Sequence, residues 1–236
     1  MNTELIGWKG KTWNPVTGCT KISEGCMHCY AERMAKRLCL MGQKKYSHGF
    51  AVTVHPESLN EPLQWKHPLS IFTCSMSDLF HEQVPDAFIL QVFRVMNQAH
   101  WHTFQVLTKR SKRLAQVAPK ITWTRNIWMG VTVESQAQTK RIPYLASVNA
   151  AVRWLCIEPM VSAIPSLDLH AIHWVILGGE SGPFARPLPE DWVVSVRDQC
   201  VANNVPFYFK QWGGANRKAN GCTLQGRQWR EFPYVL

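Results

Sequence analysis

Cys19, Cys26 and Cys29 fall within one short stretch, GCTKISEGCMHCYAERMAKRL (18–38), with the spacing C-x6-C-x2-C. In a reducing compartment, clustered cysteines bind metal more often than they form disulfides. Two chemistries fit. Three thiolates can hold three corners of a cubane iron–sulfur cluster and leave the fourth iron open to a substrate or cofactor. A structural zinc site normally closes with four ligands instead. The fourth would be His28, which lies between Cys26 and Cys29, or Cys39, ten residues beyond Cys29. Adjacent side chains point apart, which sets His28 against sharing one ion with its neighbours. Cys39 is expected on a helix as a small core residue. No second C-x2-C pair and no H-x3-H pair occurs in the chain. Cys74, Cys156 and Cys200 sit in apolar patterns and read as core, and Cys222 lies in a Gly-rich tail.

Other chemistries lack their residues. There is no G-x-S-x-G elbow, no H-E-x-x-H pair and no Walker-type G-x-x-x-x-G-K-S/T loop. The stretch GGESGP (178–183) does not match the G-x-G-x-x-G fingerprint of dinucleotide binding. Its two glycines would let a backbone or a ligand approach closely.

The cysteines need elements to position them. Short apolar, β-rich runs recur at 50–54, 70–74, 103–107, 127–133, 152–157, 173–179 and 206–212, with a shorter strand expected at 12–15. They are nearly continuous in hydrophobicity, as in strands buried on both faces of a parallel sheet. Between them lie helical patterns. Tyr30, Met34 and Leu38 form one stripe, and Phe88, Ile89, Val92, Phe93 and Met96 form a second. Trp192, Val193, Val196 and Cys200 form a third. An alternation of strand and helix repeated about eight times predicts an α/β fold: a TIM-type (β/α) barrel of parallel strands, complete or partial. A doubly wound open sheet is the alternative. The expected organisation is one barrel domain over 1–214, with the cysteine loop at 18–30. A tail over 215–236 is expected to pack on the barrel.

Chemistry in such a barrel sits at the C-terminal ends of the strands. Those ends are polar here: His55 and Glu57, then Ser75, Ser77 and Asp78, then Lys109, Glu134, Glu158, Glu180 and finally Lys210 with Gln211. On one rim they would converge on a polar cavity. Caps and salt bridges are the plainer use of the same residues.

Composition bounds the partners. The 236 residues carry a net charge of +10, which suits an anionic partner such as nucleic acid or a phosphorylated substrate. The densest basic run is KRSKR (109–113), which also fits a solvated helix start. Most of the eleven tryptophans are expected to pack, with some free to stack on bases. The N-terminus has no apolar signal region and no run reaches membrane-spanning length, so a cytoplasmic protein without a membrane partner is expected.

A barrel whose first loop carries three cysteines, the last pair spaced C-x2-C, resembles the radical S-adenosylmethionine superfamily. The usual spacing there is C-x3-C-x2-C, and this chain departs from it with six residues in the first gap. A closer resemblance is to an uncharacterised phage-associated and bacterial family sharing the wider gap. TWNPVTGCTKISEGCMHCYAERMAKRL, SMSDLFHE, FQVLTKR, GVTVES, CIEPM, WVILGGESGP and FKQWGG carry it, from about 12 to 214. The resemblance implies a 4Fe-4S cluster on Cys19, Cys26 and Cys29, with S-adenosylmethionine on the open iron. Reduction by an external electron donor would then yield a 5′-deoxyadenosyl radical that takes hydrogen from the substrate. His28 stands where that superfamily places an aromatic residue against the adenine. GGE follows a late strand here, so the methionine-amine contact falls to Ser75, Ser77 and Asp78, and Glu180 joins the candidate cofactor contacts on position alone. Lys109, Glu134, Glu158 and Lys210 are the candidates for catalysis and substrate binding. The alternative is a zinc- or cluster-stapled basic module that binds nucleic acid without catalysis.

Overall fold

The computed structural model describes residues 10–233. Seven strands form one parallel sheet: β1 (Lys11–Trp13), β4 (Ser70–Thr73), β5 (Thr103–Thr108), β6 (Ile127–Thr132), β7 (Val152–Ile157), β8 (Trp174–Gly178) and β9 (Phe207–Gln211). Their order in the sheet is their order in the chain, and every neighbouring pair is parallel. Each crossover therefore steps one strand in the same direction. Because crossovers are right-handed, the helices fall on one face and the twisted sheet curls around the other. A doubly wound sheet would reverse its strand order part-way, and this one does not. The result is a curled half-barrel. β1 and β9 do not pair with each other among the described residues.

Strand alternation divides the core in two. Outward side chains such as Ile71, Phe104, Val106, Met129, Val131, Leu155, Val175 and Leu177 join the main core. There they meet helices α2 (Asp86–Gln98), α3 (Ser111–Val117), α4 (Ile142–Ala146) and α5 (Glu190–Ala202). Inward side chains form a second cluster of Trp128, Val152, Trp154, Cys156, Trp174, Ile176 and Tyr208, with Phe72 and Leu107 against it. Burial on both faces is why the strands read as unbroken apolar runs. The Trp154 indole lies across β6 at Gly130, where a Cβ would stand 2.5 Å from the ring.

The expected stripe of α2 is buried as a unit. That of α1 (Tyr30–Leu40) is not: Ala31 and Ala35 are its buried residues, Met34 and Leu38 pack partly, and Tyr30 is 48% exposed. Cys39 is half-buried rather than core, whereas Cys74, Cys156 and Cys200 are buried. The run at 50–54 is also corrected. It contributes only β3 (Thr53–Val54), which pairs antiparallel with β2 (Val16–Thr17) outside the parallel sheet. His55 and Glu57 therefore leave the rim: His55 shares hydrogen bonds with Thr17 and Glu57.

After α6 (Arg217–Asn220) comes a small hairpin of β10 (Thr223–Leu224) and β11 (Arg227–Gln228). The chain then runs back along β9. Tyr208 bridges Arg230 antiparallel, the Phe209 N–H donates to the Trp229 carbonyl, and the Glu231 N–H donates to that of Phe207. Phe232 packs on Trp174 and Tyr208 beneath the inner cluster. No helix among the described residues is long and apolar enough to cross a membrane.

Candidate functional site

The cysteine loop lies over the C-terminal ends of the sheet strands, and the strand-end side chains hold it there. Entry is set by Gly18. Its φ of +81° is left-handed, and a Cβ would sit 2.1 Å from the Ala51 carbonyl oxygen. Its N–H donates to the Met76 carbonyl at 3.0 Å, which ties the loop to the segment after β4.

Cys19 meets the ends of β4 and β5. Arg110 is buried there and donates from Nη1 to the Cys19 sulfur at 3.4 Å and to Asp78 Oδ2 at 3.1 Å. Its Nε reaches Glu82 at 2.8 Å, and its Nη2 reaches the Thr20 carbonyl at 3.2 Å and the Thr20 hydroxyl at 2.9 Å. Asp78 also accepts from the Thr108 hydroxyl at 2.7 Å and from the N–H groups of Lys109 and Phe80 at 3.0 Å each. Burial and the Asp78 charge push the Cys19 thiol up to about 11, against the opposing pull of Arg110.

At the end of β6, Glu134 is fully buried. It accepts from the Ser23 hydroxyl and from Arg141 Nη1, the latter at 2.6 Å. Gly25 rests on the same carboxylate, where a Cβ would come within 3.0 Å of Glu134 Cγ. At the end of β8, Glu180 accepts from Arg186 through Nε at 2.9 Å, Nη2 at 2.7 Å and the backbone N–H at 3.0 Å. Arg186 passes the restraint on by donating to the Glu24 carbonyl at 3.2 Å. His28 Nδ1 lies 3.2 Å from Glu180, close enough for an ion pair but without hydrogen-bond alignment. Its ring stands against Phe184, which is 73% exposed. Burial raises the Glu180 carboxyl, but the hydrogen bonds from Arg186, with His28 close by, outweigh it and hold the group down at about 2.

The remaining candidates divide. Ser77 donates to the Val16 carbonyl at 2.8 Å, and Ser75 donates to Asn14 Oδ1 at 3.2 Å. The Ser75 carbonyl accepts from the Tyr30 hydroxyl. Glu158 and Lys210 form a pair at 2.8 and 2.9 Å, with Gln211 donating to Glu158 at 3.2 Å and to the Ser181 hydroxyl at 2.8 Å. The buried Cys156 thiol lies nearby and is pushed up to about 12 by burial and then by Glu158. Lys109 uses its backbone N–H on Asp78, and its ammonium has no hydrogen-bond or ion-pair partner among the described residues. Gly179 is approached by backbone: a Cβ there would stand 2.0 Å from the Trp212 carbonyl oxygen.

Asp78, Glu134 and Glu180 are thus braces for the cysteine loop, while Glu158, Lys210 and Lys109 remain facing the interior. The cationic halves of the braces are Arg110, which lies in the basic run 109–113, and Arg141 and Arg186, which sequence reasoning passed over. The available signal was weak: Arg141 and Arg186 lie seven and six residues after the acids they hold. Among the described residues, no three His, Cys, Asp or Glu side chains are placed to hold a single metal ion. A donor set of three thiols on one loop fits a cluster, in which each thiol takes its own iron, better than a closed single-ion zinc site.

A family model described as Protein of unknown function (DUF5131) matches residues 3–233. The chain belongs to that family. No curated protein and no solved structure matches the chain.

Proposed function

We propose that this protein is a radical S-adenosylmethionine-type enzyme in which Cys19, Cys26 and Cys29 hold a 4Fe-4S cluster over the mouth of the half-barrel. The observation that carries this reading is the course of the cysteine loop across the strand ends, where (β/α) barrels keep their chemistry. When bound, the cluster and S-adenosylmethionine would supply reductive formation of a carbon radical, with the electron coming from an external donor.

The chain's own groups have three tasks. Arg110 fixes the loop at Cys19 and Thr20, Glu134 at Ser23 and Arg186 at Glu24, while His28 lies beside Glu180 near the loop's end. Buried donors and acceptors held in this way cost no reorganisation during a reaction. The rings of His28 and the exposed Phe184, tilted 42° to each other with centroids 6.0 Å apart, offer aromatic faces near Cys29 on which an adenine can stack. Glu158 and Lys210 neutralise each other at rest, so a polar substrate can displace one partner and engage the other.

Single Cys→Ala variants at 19, 26 and 29 test the reading. Each is expected to lose bound iron in anaerobically prepared protein while keeping the native circular dichroism and urea midpoint. Zinc bound stoichiometrically in aerobic protein, with unfolding of Cys26→Ala, would favour the non-catalytic nucleic-acid-binding module instead. The net charge of +10 is the observation on that side.

A further inference from the structure

The three sulfurs of the cysteine loop have different surroundings. Cys19 accepts from the Arg110 guanidinium at 3.4 Å. Cys26 lies 3.7 Å from the Ser23 hydroxyl, but that hydroxyl gives its one proton to the buried Glu134 carboxylate. Ser23 is therefore left to accept from the Cys26 thiol, and a metal-bound thiolate has no proton to offer it. No side-chain donor reaches the Cys29 sulfur among the described residues. One sulfur of three thus receives a side-chain proton, and the donor carries a full charge.

The bend from β5 into α3 holds this donor in place. The Arg110 N–H donates to the Thr108 hydroxyl at 2.9 Å, and that hydroxyl donates on to Asp78. All five N–H groups of the guanidinium then have an acceptor. Nε takes Glu82, Nη2 takes the Thr20 carbonyl and hydroxyl, and Nη1 divides between Asp78 and the Cys19 sulfur. The plane cannot turn away from the sulfur without breaking the other four bonds. A sulfur is a weak acceptor as a thiol, and a charged donor is best used by a charged acceptor. The arrangement therefore suits Cys19 as a thiolate on a metal. Asp78 and Glu82 bring two negative charges to the same corner, and Arg110 is the cation that offsets them. Arg110 is 5% exposed, so salt screens its field little.

We infer that Arg110 is a positioning residue that sets the reduction potential of a cluster on Cys19, Cys26 and Cys29, raising it through the Cys19 sulfur. Reduction adds negative charge, and hydrogen bonds to the ligand sulfurs are among the terms that fix cluster potentials. A cation donating to one of those sulfurs favours the reduced form. The inference rests on reading the loop as a cluster site and gives Arg110 a second task besides bracing the loop.

The test is a mediated anaerobic redox titration of the reconstituted full chain, followed by the electron paramagnetic resonance signal of the reduced cluster, with iron counted in every sample. Arg110→Gln keeps a donor but removes the charge. At a fixed potential its ratio of reduced to oxidised cluster is expected to fall at least about tenfold, equivalent to a midpoint about 59 mV more negative. Arg110→Lys keeps the charge but loses the fork, and its fall should be smaller. Glu82→Gln leaves Arg110 intact and removes an opposing carboxylate that is 64% exposed. Its ratio should rise, a change of sign that a loosened loop does not produce.

Equal midpoints in the parent and in Arg110→Gln, both fully loaded with iron, would overturn the inference and leave the cluster reading standing. A fall in Glu82→Gln would overturn it as well, because the loop's rigidity and not the charge would then be the cause. If Arg110→Gln leaves Asp78 unpaired and fails to fold, Arg110→Lys and Glu82→Gln decide the matter by their opposite signs. A parent chain that binds no cluster would remove the radical-enzyme reading and this inference with it.

Discussion

Arg110, Arg141 and Arg186 turn a loop of small and polar residues into a fixed cover. Each is paired with a carboxylate that is at least nine-tenths buried, and Arg110 and Arg186 also reach the cysteine loop directly. Removing one partner of a buried pair leaves an uncompensated charge, which costs about 3–5 kcal/mol. Arg141→Met is therefore expected to lower stability by about 3 kcal/mol in urea denaturation. Glu134→Gln with Arg141→Met should recover much of that loss. At Glu180 the sign of the pH dependence follows from its carboxyl being held at about 2, below the ordinary 4.5. A depressed folded pKa contributes stability above the ordinary value, and the contribution disappears as pH falls from about 4.5 through about 2. Glu180→Gln should remove that acid-dependent fraction, seen as a flatter plot of urea midpoint against pH over the window. The strand-end acids could be read in the sequence as a set. Their use as braces could not, because an arginine looks the same in a sequence whether it is solvated or buried against a carboxylate.

At the scale of elements, the strands of the parallel sheet were legible because burial on both faces leaves a continuous apolar run. The run at 50–54 has the same composition, yet it forms a two-residue antiparallel pairing near the cysteine loop. Pairing depends on what lies alongside, which local hydrophobicity does not record. Helix α1 shows the opposite limit. Its large apolar residues suggested the stripe, but the close contact with Met76 is made by Ala31 and Ala35. Small residues allow a helix to approach closely, and they carry little weight in a hydrophobic pattern. Gly130 is a similar position within a strand, since only hydrogen leaves room for the buried Trp154 ring. Gly130→Ala is expected to cost about 1–3 kcal/mol through overpacking, measured as a lower urea midpoint at unchanged slope.

For the whole molecule, the half-barrel leaves two edges that a closed barrel would not have. The segment around Trp229 to Glu231 runs along β9 and Phe232 fills the space beneath the inner aromatics, so the tail shields one edge. The overall order of strands and helices was readable from the alternation, but closure was not, because it depends on how far the sheet curls. The inner wall and the cysteine loop meet at the same mouth. The most direct measurement is iron, acid-labile sulfide and S-adenosylmethionine cleavage on anaerobically reconstituted protein under a strong reductant. The expected result is about four irons and four sulfides per chain, with 5′-deoxyadenosine formed only when Cys19, Cys26 and Cys29 are all present. Protein that stays colourless, binds zinc in place of iron and leaves S-adenosylmethionine intact would contradict it.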